Sequence, residues 1–329
     1  MAAGNSTEVV TVDIGGTHAR FALALVASDG AITLDEPETL NTSDHASFQT
    51  AWEDFRQRKG GSLPDAVTMA VAGPVKHDLI RFTNNPWIIR PPLIEEKLGC
   101  GRFTIVNDFA AVAHAAARAP KEQFIHLAGP DTDLPEAGTV SVVGPGTGLG
   151  VAHFYRDQDG YRVQATEGGH GDYAPLDSIE DAILARLRKR HNRVSNERVV
   201  SGPAIIDIYQ TLAALEHRSI DPELDDRAIW TMGMNGEDSL AAAAVDRFCL
   251  ALGSVAGDIA LVQGASGVVI AGGLGYRIRD TLLGSGFADR FAAKGRFAGL
   301  MAGMPVKLIV HPQPGLFGAA AAFAREHLK

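Results

Sequence analysis

The chain has 329 residues, enough for one large domain or two ordinary ones with well-buried cores. Hydrophobic residues make up 46% and charged residues 21%, a composition that is typical of globular proteins and argues against disorder. A formal net charge of -9 repels nucleic acid, and two cysteines, Cys100 and Cys249, are too few for a disulfide framework or a Cys-based zinc site.

The cellular compartment is predicted from two features that the sequence does not show, a signal peptide and a membrane-spanning segment. The first letters, MAAGNSTE, contain no basic segment leading into an apolar one, so no signal peptide is visible. The longest apolar stretches are interrupted by Gly, Asp or Arg before they reach membrane-spanning length. We therefore expect a cytoplasmic protein whose partners include neither nucleic acid nor a membrane.

The first third of the chain predicts an α/β domain with a mixed sheet. Apolar, β-branched runs indicate strands, and capping residues mark the helices. In chain order we predict two strands around a glycine turn in 9–26, a third strand in 31–40, a helix in 47–60 with Ser47 as N-cap, a buried strand in 66–75, a short helix in 91–99, and a strand in 102–109 followed by an Ala-rich helix. Strands alternating with helices favour this class.

The rest of the chain repeats that pattern. The predicted elements are strand, glycine turn and strand in 139–155, helices in 178–190 and 239–265, a strand entering a glycine turn in 267–275, a strand in 306–312 and a helix in 315–328. Residues 9–26 and 139–155 look like two versions of one hairpin. A domain boundary is predicted near residue 119.

Three glycine turns follow apolar strands: Gly15-Gly16-Thr17, the stretch from Gly144 to Gly150, and Gly272-Gly273. Glycines there allow backbone N–H groups to approach an anion, and Thr17 and Thr147 add hydroxyl donors. Any one of them could be a simple turn, but three in two similar units favour a nucleotide site. The P-loop and dinucleotide-binding glycine patterns are absent, so a different nucleotide fold is required.

Two aspartates follow predicted strands. Asp13 precedes the first glycine turn and could hold Mg²⁺, or could satisfy the local backbone as an Asx-turn residue. Asp108 ends the stretch TIVND, where it could act as the general base of a kinase with Asn107 orienting the substrate. Asp108 could equally be the N-cap of a helix starting at Phe109, and spacing alone leaves both roles open.

The loop TEGGHGDYAP, residues 166–175, groups polar side chains that could bind the hydroxyls of a sugar. A solvated loop or a metal site are the alternatives, although a lone His170 beside carboxylates makes a poor zinc site. Glu197 alone would pass as an acid in the first turn of a helix. The basic run 186–193 is interpreted as the solvated end of a helix.

Several motifs together resemble the bacterial glucokinases, which phosphorylate glucose with ATP. The resemblance runs in order from about residue 9 to the last helix, and rests on DIGGTHARFALA, TNNPW, IVNDFAAVAHA, GPGTGLGVAH, TEGGHGDYAP, SNERVVSGPA, IAGG, KGRF and PGLFGAAAA. It implies two ribonuclease-H-like domains of the actin/hexokinase class with a cleft between them. The smaller would comprise 1–118 and 312–329, the larger 119–311, with Mg-ATP between two phosphate hairpins.

The resemblance also implies a role for each matching residue. Asp108 looks like the catalytic base that takes the proton of the sugar 6-hydroxyl. The remaining glucose ligands would be Asn107, Glu167, His170 and Glu197. The ATP site would comprise Val12, Asp13, Ile14, Gly15, Gly16, Thr17, Gly146, Thr147, Gly148, Gly272 and Gly273, with Asp13 on the magnesium side. The family implies a homodimer and the first step of glycolysis.

One departure and one absence qualify the resemblance. Many members carry Asn after GGT, whereas this chain has His18, which could alter contacts near the phosphates or mark a subgroup. The related repressor/kinase sugar family carries a cysteine-rich zinc motif that two isolated cysteines cannot supply. Another hexose kinase, such as a fructokinase or mannokinase, is the nearest alternative. A sugar-sensing regulator is a second, although only eight residues precede Val9, too few for a helix-turn-helix.

Overall fold

A computed structural model describes residues 6–73, 75, 78–82 and 85–328. Two letters of the TNNPW motif, Thr83 and Asn84, lie outside these residues. The chain divides into two compact units, one formed by Met1–Ala119 with His311–Lys329 and the other by Pro120–Val310.

Strands and helices alternate through both units. From Ser6 to Arg118 they are β1 (Ser6–Ile14), β2 (His18–Ala27), β3 (Ile32–Leu34), β4 (Glu38–Asn41), α1 (Phe48–Arg58), β5 (Ala66–Val71), β6 (Ile80–Arg81), β7 (Ile88–Ile89), α2 (Ile94–Leu98), β8 (Arg102–Asn107) and α3 (Asp108–Arg118). From Phe124 to Ile309 they are β9 (Phe124–Ala128), β10 (Gly138–Pro145), β11 (Leu149–Asp157), β12 (Gly160–Thr166), α4 (Ser178–His191), α5 (Ile205–Leu215), α6 (Asp226–Asn235), α7 (Ser239–Gln263), β13 (Ala265–Ile270), α8 (Gly272–Arg277), α9 (Arg279–Gly284), α10 (Phe287–Ala292), α11 (Ala298–Ala302) and β14 (Val306–Ile309). Helix α12 (Pro314–His327) follows.

The sheet of the first unit positions its candidate site residues. Its strand order is β3-β2-β1-β5-β8, with β4 also paired to β2. Strand β1 is antiparallel to β2 and parallel to β5, which is in turn parallel to β8. Ile14, Val71 and Asn107 therefore stand in one register row, at the carboxyl ends of three parallel strands. In α/β sheets this is the edge at which ligands bind.

Strand β1 is buried on both faces. Val10 and Val12 pack into one apolar cluster with α1, whereas Val9 packs into another that includes Phe323 of α12. The hydroxyl of Thr11 donates to the carbonyl of Leu316 at 2.8 Å, which satisfies a fully buried polar group and fixes α12 on the sheet.

The second unit has a sheet with the same arrangement, in the order β12-β11-β10-β13-β14-β9. Strands β12, β11 and β10 pair antiparallel in series, and β10, β13 and β14 pair parallel, as β3, β2, β1, β5 and β8 do. Helix α7 is long and apolar enough to span a membrane by length and composition, but 72% of the apolar stretch of 18 residues on which this rests is buried inside the protein. It is a core helix of this unit.

Most predicted elements are confirmed, with two corrections. Ser47 caps α1 as predicted, and the side chain of Thr50 completes a capping box. The third strand predicted in 31–40 is two short strands, β3 and β4, with an aspartate and a proline between them. The predicted turn at Gly272-Gly273 is instead the beginning of helix α8.

Gly318 is a point of close packing between α12 and α3. A Cβ atom at this position would overlap the backbone carbonyl of Ala111, which cannot move without shifting α3. We expect Gly318→Ala to lower the free energy of unfolding by about 1–3 kcal/mol through overpacking, measured as a lower thermal midpoint. Gly299→Ala in α11 is the control, because its Cβ meets nothing within 4 Å. A Gly318→Ala protein at least as stable as the parent would contradict this packing.

His114 lies within α3 and is only 8% exposed. Burial, assisted by the charge of Arg325, lowers the pKa of its imidazole from 6.5 to about 4. Between these values the unfolded chain binds more protons than the folded one, so stability falls as the pH drops through that window. We expect the loss of unfolding free energy between about pH 7 and pH 5 to be smaller in His114→Gln by about 2 kcal/mol, measured by urea unfolding. Equal losses in both proteins would rule out this contribution.

Candidate active site

The turn between β1 and β2 is held by partners from elsewhere in the first unit. Its backbone closes with a hydrogen bond from the Gly15 N–H to the His18 carbonyl at 2.9 Å. The hydroxyl of Thr42 donates to the Gly16 carbonyl at 2.9 Å, and the Thr42 N–H donates to the Thr17 carbonyl at 3.0 Å. All three hydrogen bonds are accepted by backbone carbonyls of the turn, which fixes its backbone. Thr17 is exposed, so its hydroxyl lies at the surface.

His18 contacts the same turn. Its Nδ1 lies 2.8 Å from the hydroxyl of Thr17, and both side chains are exposed. The imidazole can therefore orient that hydroxyl. Val12 and Ile14, by contrast, are fully buried in the apolar core, so only their backbone atoms could face a ligand.

Asp13 pairs with Arg20 across the β1–β2 hairpin. The two residues are register partners, and the Arg20 guanidinium lies 3.3 Å from Asp13 Oδ2. Burial raises the pKa of Asp13, and the charge of Arg20 partly opposes this effect. The same carboxylate lies 2.8 Å from the position that a Cβ on Gly315 of α12 would take, so the first turn of that helix packs closely on it.

Asn107, and not Asp108, is the N-cap of α3. The Oδ1 of Asn107 accepts hydrogen bonds from the N–H groups of Phe109 and Ala110, at 3.0 and 3.1 Å. Its Nδ2 donates to the Gly73 carbonyl at 3.3 Å. Asp108 is the first residue of the helix, and its Oδ1 accepts from the Phe109 N–H at 2.8 Å. The cap role, which spacing had left open for Asp108, therefore belongs to its neighbour, because the helix begins one residue before Phe109.

The second glycine turn joins β10 and β11. It closes with a bond from the Gly146 N–H to the Gly148 carbonyl at 2.8 Å, and Thr147 at its tip is exposed. The Gly146 carbonyl also accepts from the N–H of Gly202 at 2.7 Å. The predicted hairpin of residues 139–155 is confirmed.

Gly272 and Gly273 lie beside this second turn. Gly272 has φ +88°, a conformation that favours glycine, and a Cβ there would come within 2.9 Å of the Pro145 carbonyl. The N–H of Ala271 donates to the Val143 carbonyl of β10 at 2.9 Å. Helix α8 thus begins against the end of β10, beside the residues that lead into the glycine turn.

Glu197 contacts the residue that follows the turn, Leu149. It lies in a 3-10 turn, Asn196–Arg198, and its Oε2 accepts from the N–H of Leu149 at 2.9 Å. Glu197 is an acid in the first turn of this short helix, as considered from the sequence, and its carboxylate also contacts the backbone of another segment.

The loop of residues 166–175 carries its two candidate sugar ligands at the surface. His170 Nε2 lies 3.8 Å from Glu167 Oε2, and the side chains are 55% and 79% exposed. Arg193 donates to the His170 carbonyl at 2.6 Å, and the Asn196 N–H donates to the Gly171 carbonyl at 2.8 Å. At the far end Tyr173 is buried, which raises its pKa. The backbone is held while the acceptor side chains remain open to a ligand.

The structure brings the predicted residues together as two groups. The first unit holds Asp13, the turn 15–17 and the pair Asn107-Asp108 at one sheet edge, and the second unit holds the turn 146–148, Gly272-Gly273, Glu167, His170 and Glu197. Sequence reasoning missed Thr42, Arg20 and Gly202. Arg20 could have been found from hairpin register, since it faces Asp13, whereas Thr42 and Gly202 carry no local signal.

Asp13 is the candidate side chain for holding magnesium. In the part of the chain that the structure describes, no group of three or more His, Cys, Asp and Glu side chains is arranged to hold a metal ion. Mg²⁺ at a phosphoryl-transfer site is commonly held by one or two carboxylates with water and substrate phosphates. The single carboxylate of Asp13 beside a glycine turn fits that pattern, although Arg20 competes for the same oxygen.

Comparison with known proteins supplies the family. The model of the glucokinase family matches residues 10–326. A curated glucokinase of Zymomonas mobilis is 52% identical over 320 residues, which is 97% of this chain and 98% of that protein. A solved glucokinase from an Antarctic psychrotroph superposes with a TM-score of 0.86 at 33% identity, covering 97% of this chain and 99% of that one. A Leishmania braziliensis glucokinase, at 18% identity and a TM-score of 0.78 with coverages of 97% and 93%, shows the shared fold alone. The chain belongs to the glucokinase family and has the actin/hexokinase fold.

Proposed function

We propose that the protein transfers the γ-phosphoryl group of ATP to the 6-hydroxyl of glucose, giving glucose 6-phosphate and ADP, the first step of glycolysis. One observation carries the chemical part of the proposal. Ile14 and Asn107 end their strands in one register row, so the glycine turn 15–17 and Asp108, which follow them, lie at the same sheet edge. Family membership supports glucose and ATP as the substrates.

Asp108 is the proposed catalytic base. Its carboxylate accepts the proton of the 6-hydroxyl as that oxygen bonds to the γ-phosphorus, while the bond from phosphorus to the β,γ-bridging oxygen breaks and ADP leaves. Asp108 lies in the first turn of α3, where acidic side chains interact favourably with the helix dipole. Asn107, bonded to Gly73 and to α3, holds the pair in place.

Four side chains are the proposed further glucose ligands: Asn107, Glu167, His170 and Glu197. Carboxylates accept from hydroxyl groups, and imidazole can donate or accept according to its tautomer. Because sugars differ in the direction of single hydroxyls, an arrangement of fixed acceptors can discriminate among hexoses. The exposed Glu167–His170 pair supplies two such groups on a loop whose backbone is held by Arg193 and Asn196.

The ATP ligands are proposed from the glycine turns. The backbone N–H groups of 15–17 and 146–148 would donate to phosphate oxygens, with the hydroxyls of Thr17 and Thr147 beside them, and Gly272-Gly273 would lie on the adenosine side. Asp13 would hold Mg²⁺, which when bound neutralises charge on the phosphates. We further propose that the two compact units are the domains of the enzyme, and that it works as a cytoplasmic homodimer, as the family resemblance implies.

The substrate proposal is tested with a coupled assay of ADP release. Purified protein with Mg-ATP is supplied separately with glucose, fructose, mannose and N-acetylglucosamine. We expect glucose to give the highest kcat/KM and the product to be glucose 6-phosphate. A higher kcat/KM for fructose or mannose would replace glucose by that hexose as the substrate.

The base is tested with Asp108→Asn. We expect kcat to fall by about 10²–10⁴-fold, because the amide cannot accept the proton, while glucose binding measured by calorimetry is largely retained. Asp289→Asn, a change of the same kind at an exposed position on α10, is the control and should leave kcat unchanged. Unimpaired turnover in Asp108→Asn would remove Asp108 from this role.

A further inference from the structure

Glu197, itself a proposed sugar ligand, is hydrogen-bonded to the second glycine turn. Its Oε2 accepts from the N–H of Leu149, the first residue after the turn, at 2.9 Å. The same carboxylate occupies the space that a side chain at position 148 would need, so it lies directly against Gly148. Glu197 is partly buried, and its contact is with backbone, which cannot adjust by a change of rotamer.

A second bond joins the same segment to the opposite side of the turn. The N–H of Gly202, five residues after Glu197, donates to the Gly146 carbonyl at 2.7 Å. Trp230, fully buried, donates from Nε1 to the Gly202 carbonyl at 2.9 Å and fixes that segment to α6. The segment 197–202 is therefore hydrogen-bonded to the turn on both sides, at Gly146 and at Leu149.

The loop with the other two sugar ligands is bonded to Asn196, the residue that precedes this segment. The Asn196 N–H donates to the Gly171 carbonyl, and Gly169 packs so closely on the Leu149 carbonyl that a Cβ would overlap it. All the proposed sugar ligands of the second unit thus belong to one hydrogen-bonded assembly with the phosphate turn.

We propose that Glu197 couples glucose binding to nucleotide binding within the second unit, with one carboxylate oxygen holding the phosphate turn and the other accepting a sugar hydroxyl. Each ligand then raises the affinity for the other. This inference rests on the proposed function, because it takes glucose and ATP as the ligands.

Electrostatics gives the sign of the coupling. A carboxylate beside the phosphate turn opposes the approach of an anionic nucleotide unless donors spread its charge. A sugar hydroxyl donating to Glu197 adds such a donor, in addition to the Leu149 N–H. Glucose also orders the side chain that positions the turn, so the nucleotide that binds second has less ordering to bring about. By linkage, nucleotide must raise the affinity for glucose by the same factor.

Two glycines of one turn supply a matched test. A Cβ at Gly148 would overlap the Glu197 carboxylate, whereas a Cβ at Gly146 meets nothing within 4 Å. Neither residue has positive φ, so alanine suits both backbones. Gly148→Ala should displace Glu197, the one proposed sugar ligand that its Cβ would meet, whereas Gly146→Ala should leave Glu197 in place.

Glucose affinity is measured by calorimetry with no nucleotide present. We expect Gly148→Ala to weaken glucose binding by about tenfold, as for loss of a hydrogen bond to a charged group, and Gly146→Ala to leave it unchanged. Parental glucose affinity in a folded Gly148→Ala protein, or an equal loss in both variants, would overturn the coupling role. Failure of the parent protein to bind glucose would instead refute the proposed function.

A second measurement does not depend on a folded Gly148→Ala protein. Affinity for the β,γ-imido analogue of ATP is measured with and without glucose, in the parent and in Glu197→Gln. Hydrogen exchange of the Leu149 amide is followed in the parent with glucose alone. We expect glucose to tighten analogue binding several-fold in the parent, the factor to approach one in Glu197→Gln, and Leu149 to exchange more slowly with glucose. An unchanged factor in Glu197→Gln, or unchanged exchange at Leu149, would overturn the proposal.

Discussion

Hydrogen bonds from distant segments to the backbone of two glycine turns are the interactions on which the candidate site depends. A glycine turn alone is permissive, because it lacks the side chains that would fix its conformation. Thr42 holds the first turn, whereas Gly202 and Glu197 hold the second. Satisfying these backbone groups holds each turn near one conformation, so less ordering is left for its ligand to bring about.

The two units place a glycine turn in the same way but surround it with different side chains. In each, a hairpin and two parallel strands bring a glycine turn to the carboxyl edge of a sheet. The first unit supplies beside it an Asn-Asp pair at the start of α3, and the second supplies a carboxylate from a 3-10 turn. The shared sheet order explains why the hairpin patterns resemble each other, while the partners that distinguish the units come from outside the hairpins.

Local patterns predicted the elements well, and tertiary contacts limited the rest. The strands around both glycine turns and the capped helix at Ser47 follow from residue type and spacing, which are local properties. Helices α5 and α6 were not predicted. At the site, residue types indicated Asp108 and Glu197, but not which neighbour caps α3 or that Glu197 binds a backbone amide. Those outcomes depend on side-chain direction and on segments far apart in sequence.

The position of α12 has a consequence for the order of folding during synthesis. Residues 120–310 form a continuous unit, which can fold as soon as that stretch has left the ribosome. The first unit is made first but finished last, because the Thr11 hydroxyl and the close packing surface of α3 receive their partners from α12. Part of one face of its sheet must therefore stay uncovered until α12 has been synthesised, and this interval is when the nascent chain has most need of a chaperone.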